Sequence, residues 1–117
     1  MEKLSLTALA RQQLEAARRS SSGRGAKTVY GGHEHVLRQT LIPLTAGRVL
    51  DEHENPGEAT VYVLQGRVRL HAKETSWERG DASWEGRPGD LIIVPNARHS
   101  LEALEDSVVL LTVAKIG

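Results

Sequence analysis

The sequence predicts an all-β barrel carrying an N-terminal helical arm. Three observations lead there. One segment near the N-terminus is amphipathic at helical spacing. From Lys27 onward the chain is a series of short apolar or alternating runs divided by turn residues. Its 117 residues hold one domain with a self-sufficient core.

The arm is read at residues 5–19. Leu6, Ala10, Leu14 and Ala17 recur at helical spacing among good helix formers. Ser5 is positioned as the N-cap, although no Glu or Gln follows three residues later to complete a capping box. Arg18 and Arg19 fall at the C-terminal end, where the helix dipole favours positive charge. Ser20–Gly25 then reads as a flexible break, so residues 1–26 form arm and linker and residues 27–117 the barrel.

Strands are expected at Thr28–Tyr30, His35–Leu44, Arg48–Glu52, Ala59–Leu64, Arg67–Ala72, Ala82–Glu85, Leu91–Val94, Ser100–Leu104 and Val108–Ala114. Pro43 marks an edge or a bend within the second of these. The similar pieces at 75–80 and 82–87 are too short for a repeat and read as two sides of one hairpin. No helical segment separates the strands, which favours a sandwich or barrel over a parallel sheet.

Composition narrows the chemistry. There is no Cys, which excludes disulfides, thiolate nucleophiles and Cys-based metal sites. There is no Phe, and Tyr30, Tyr62, Trp77 and Trp84 are the large aromatics, so the core must be aliphatic. A formal net charge of zero argues against a nucleic-acid binder. No run is long enough to span a membrane and no signal peptide is visible, so the expectation is a soluble cytoplasmic protein. The charge is uneven. Residues 1–27 hold six basic residues (Lys3, Arg11, Arg18, Arg19, Arg24, Lys27) against Glu2 and Glu15, a surplus of +4 that the remaining residues balance. A basic arm on an acidic body can lie against that body or against a partner's.

Two short motifs carry a resemblance. Gly47 is followed after five residues by His53-Glu54-Asn55, and Ala59 stands six residues before Gly66, within a strand text Val61–Val68. Further on, Gly89 is followed after five residues by Pro95-Asn96-Ala97-Arg98-His99. In this order the motifs resemble those of the cupin superfamily, over roughly residues 36–115, though the Pro95-to-His99 spacing is one residue short. The resemblance implies a jelly-roll barrel. In that family two His and a Glu of the first motif and the His of the second hold one divalent metal (Fe, Mn, Ni, Cu or Zn). Carried over residue by residue, His53 matches the first His and His99 the last. Asn55 stands where the second His belongs, and Ala59 where the Glu belongs. Two imidazoles alone bind a metal weakly. His33 and His35, read as an i, i+2 pair on an early strand, are substitute ligands if their face looks inward. Glu58, beside the vacant Glu position, should turn to the opposite face unless a bulge intervenes.

Other polar residues have plainer readings. His71 is expected half-buried on its strand, and Trp77 and Trp84 in hairpin packing. Arg38 and Gln39 interrupt an apolar strand; either could reach the pocket and bind an anion or polar ligand. No Ser elbow, triad or phosphate-binding glycine loop is present.

Two functions from different classes remain. One is a metal-supported enzyme of oxygenase or isomerase type, with His53 and His99 on the metal and His33, His35 or Glu58 completing the set. The other is a non-catalytic small-molecule binding or sensing module with a largely aliphatic pocket. A third reading is an assembly role: the resemblance implies a homodimer through strand edges, and the N-terminal arm could cross to the partner barrel to cover an exposed edge or apolar patch.

Overall fold

The computed structural model describes residues 2–53, 57–73, 82–95 and 97–115. The arm is a helix, α1 (Leu6–Arg19), whose N-cap Ser5 accepts a hydrogen bond from the Ala8 amide at 3.2 Å. Nine strands follow among the described residues: β1 (Lys27–Tyr30), β2 (Leu37–Leu44), β3 (Val49–His53), β4 (Gly57–Gln65), β5 (Val68–Ala72), β6 (Ala82–Gly86), β7 (Leu91–Ile93), β8 (His99–Ala103) and β9 (Ser107–Lys115). They form two antiparallel sheets, one in the order β1-β2-β9-β4-β7 and one in the order β3-β8-β5-β6. The sheets are hydrogen-bonded separately and face each other, so the jelly roll is open along its sides.

Alternation builds the core between them. In β5 and β8 alternate residues are buried, and Val68, Leu70, Leu101 and Ala103 face the other sheet. Opposite them stand Ile42 and Leu44 of β2, Val61 and Val63 of β4, and Val109 and Val113 of β9. A second cluster lies on the outer face of the five-stranded sheet. Here Ala10 and Leu14 of α1 pack on Leu41 and Val108, flanked by Leu6, Leu9, Val29, Leu64 and Leu110. The basic arm thus lies against its own body. Arg18 pairs with Asp106 at 2.9 Å, and the other Asp106 oxygen accepts the Ala46 amide at 2.8 Å, tying helix, β2–β3 turn and β8–β9 turn together.

Two expected outcomes follow from this packing. Leu14 is 2% exposed in the helix–sheet seam, so Leu14→Ala should lower unfolding free energy by about 2–4 kcal/mol in urea titrations. A loss under 1 kcal/mol would mean that the arm contributes little. The Ala46 amide, and after it Arg18, hold the Asp106 carboxyl below its ordinary pKa of 3.8. A depressed carboxyl stabilises the fold above its unfolded pKa, and that contribution disappears as pH falls through the lower folded value. The stability difference between wild type and Asp106→Asn should therefore be present at neutral pH and close progressively below about pH 4. A gap independent of pH would refute this assignment.

Pro43 sits inside β2 between two neighbours, which a central strand should not tolerate. Its carbonyl accepts from the Gly25 amide, so its nitrogen faces the same side, where β1 has not yet begun and only an isolated Arg24–Leu44 bridge remains. The missing N–H therefore costs no ladder bond. β2 begins at Leu37 rather than His35.

Candidate functional site

One open end of the cleft collects both motif histidines. It is the end where β3 finishes, β4 begins, and the chain passes from β7 into β8. Register fixes a row of residues across each sheet there. On the five-stranded sheet Arg38 stands opposite Val113, Val113 opposite Ala59, and the Val94 amide bonds the Ala59 carbonyl at 3.0 Å. On the four-stranded sheet His53 stands opposite His99, His99 opposite Ala72, and Ala72 opposite Ala82. A bulge in β3 between Leu50 and His53 brings the two histidines into register.

The mouth is built of small side chains. Ala59, Ala72 and Ala82 occupy three positions of the two rows, whereas the next rows inward hold Leu50, Leu70, Leu101, Trp84, Val61, Ile92 and Leu111. Thr40 and Leu111, on central strands and facing the other sheet, are only half-buried, so solvent reaches between the sheets. Polar residues edging an aliphatic floor are the usual make-up of a small-molecule site.

His99 is 5% exposed, and its Nδ1 lies 2.9 Å from the Ala97 carbonyl oxygen. A carbonyl can only accept, so Nδ1 carries the proton. This bond fixes the ring orientation, as a backbone carbonyl does for a working imidazole.

The proposed substitutes are placed elsewhere. His33 and His35 do not lie on a strand. They are exposed in the β1–β2 turn, where the His35 amide bonds the Gly32 carbonyl at 3.2 Å and the His35 ring meets the edge of Tyr30 at 5.3 Å. The Gly31–Gly32 pair breaks the strand there. Gly31 has φ +93°, and a Cβ on it would collide with the Leu37 carbonyl and Arg38 backbone, so the turn closes tightly on the start of β2. Among the described residues no three His, Asp or Glu side chains are grouped to hold a metal, so His33, His35 and His99 do not converge. Glu58 is exposed and Ala59 buried at 8%, as alternation requires; Glu58 thus points away from the cleft. Asn55 and Trp77 lie outside the described residues, as does all of 74–81.

The family's metal centre does not fit this set. The carboxylate it needs is replaced by the buried methyl of Ala59, and among the described residues no neighbouring carboxylate turns inward to supply another. His71 bonds Glu102 at 3.1 Å on the outer face of the four-stranded sheet, where a surface hollow of about 230 Å³ is lined by His71, Lys73, Ser83, Arg98 and Ser100 and reaches Ala72 and Ala82. Trp84 packs on the intersheet core. No described helix is long and apolar enough to cross a membrane.

No family profile matches the sequence, and no curated protein matches it. Solved structures do. An RmlC-like cupin protein from Desulfovibrio desulfuricans is 24% identical over 97% of this chain and 96% of its own, with a TM-score of 0.72. KdgF from Halomonas sp. is 26% identical over 80% of each chain, with a TM-score of 0.58. Oxalate decarboxylase of Bacillus subtilis, described with Mn(II) centres, is 20% identical over 68% of this chain and 22% of its own, with a TM-score of 0.59. The fold shared with these proteins is the cupin jelly roll.

Proposed function

We propose, from the cupin fold that this chain adopts, that it is a small-molecule binding module whose ligand seats at the cleft mouth beside His53 and His99, without the family's resident metal. One observation carries the reading: Ala59 is buried and inward where the family places its metal-binding carboxylate, while Glu58 faces solvent. The alanine-lined mouth over an aliphatic floor supports it further.

The test is a thermal-shift screen of small molecules with and without chelator. A ligand at 100 times its Kd adds about 2.7 kcal/mol to stability, a rise on the order of 10 °C for a chain of this size. A rise that survives chelation supports the reading. Stabilisation by divalent cations alone would transfer it to metal-dependent chemistry at His53 and His99.

The assembly we propose is a homodimer through β7. This strand is the edge of its sheet, with Leu91 56% and Ile93 67% exposed, and Tyr62 lies opposite Leu91 on the same face. A second copy related by a twofold axis is the natural occupant, because one apolar edge then covers the other. Light scattering should give a dimer for wild type and a monomer for Ile93→Glu. A monomeric wild type would refute it.

A further inference from the structure

The geometry points to Arg38 as an anion receptor inside the cleft mouth, and we infer that the ligand carries a carboxylate. The inference rests on the small-molecule reading of the mouth and adds the chemical class of the ligand.

The face that Arg38 occupies is fixed from both sides. Ile42 and Leu44 of β2 belong to the intersheet core, whereas Leu41 packs under α1. A period of two therefore sets Arg38 and Thr40 inward and Gln39 outward. Gln39 agrees, since its side-chain amide donates to the Thr112 hydroxyl at 3.2 Å on the helix-bearing face. Arg38 is half-buried and makes no hydrogen bond or ion pair with a described residue. A partly buried guanidinium without a counter-charge is costly, and an anionic ligand removes that cost.

Its position suits the role. Arg38 and Ala59 are two strands apart in one row, about 10 Å between backbones, with Val113 between them. The described inward positions of that mouth (Val113, Ala59, Val94, His99, Ala72 and Ala82) hold no carboxylate, so no described side chain there competes for the guanidinium. Arg presents a planar fork that matches a carboxylate in two parallel hydrogen bonds. The charge also matches, since one guanidinium balances a single negative charge.

The experiment compares benzoate with its neutral isostere benzamide by amide NMR titration of wild type, Arg38→Gln and Arg38→Lys at millimolar ligand. Benzoate is expected to shift the resonances of Arg38, Val113, Ala59 and His99. It should bind about tenfold or more tightly than benzamide, the value of a charge-assisted pair. Arg38→Gln should abolish that preference and Arg38→Lys keep part of it, with unchanged spectra elsewhere showing that both fold. Equal binding of the two ligands at the mouth, or unaltered benzoate affinity in Arg38→Gln, overturns the carboxylate inference and leaves the small-molecule reading standing. If neither ligand moves a mouth resonance, both fall.

Discussion

Restoring the two absent ligands, Asn55→His with Ala59→Glu, should turn the mouth into a metal centre. The sequence motif sets both positions in the family's ligand pattern, and the structure adds that position 59 faces inward in the same row end as His99 does on the opposing sheet. Two imidazoles become three with a carboxylate, a set that suits first-row divalent metals. Affinity should rise by more than the roughly 10–100-fold that an outer-sphere partner alone is worth. Titration with Mn²⁺ or Zn²⁺ and a competing chelator measures it. The larger Glu side chain enters a site walled by Ala72 and Ala82, so folding should survive. A double variant no tighter than wild type would show that position 59 does not address the motif histidines.

The second large effect is at the far end of the cleft. Gly66 turns β4 into β5 at φ +84°, and a Cβ there would overlap the Ser107 hydroxyl, the Asp106 carbonyl and the Ser107 Cα. Most of those atoms are backbone and cannot swing away. Ser107 is 1% exposed; its hydroxyl accepts the Arg67 amide at 3.0 Å and donates to the Glu105 carbonyl at 2.7 Å, locking the β4–β5 turn onto the β8–β9 turn. Gly66→Ala should cost about 2–5 kcal/mol, the left-handed backbone penalty plus overpacking. That is a fall of roughly 10–20 °C in Tm. A fall under 3 °C would mean that the turns are not interlocked.

The strand plan was largely legible because alternation with turn residues is a local signal, and β5 and β8 show it in full. β2 was not. Its Leu41-Ile42-Pro43-Leu44 run is apolar on both faces because α1 covers the outer one. The period-two signal vanishes there, and the inward member of the Arg38–Gln39 pair could not be chosen from the sequence. The spacing of His33 and His35 puts them on a strand because nothing local shows how far the Gly31–Gly32 break extends, and the structure keeps both in the turn before Leu37. The outward turn of Glu58 did follow from alternation alone. The alanines at 72 and 82 gave no signal, since small residues acquire meaning only when the fold gathers them around one opening.

The central claim is that the mouth of this cupin fold works without a resident metal. Elemental analysis of the purified chain, alongside His53→Ala and His99→Ala, tests it most directly. The expected result is metal far below one equivalent per chain and unchanged in either variant. One equivalent of Fe, Mn, Ni, Cu or Zn in wild type, lost from both variants, would contradict it.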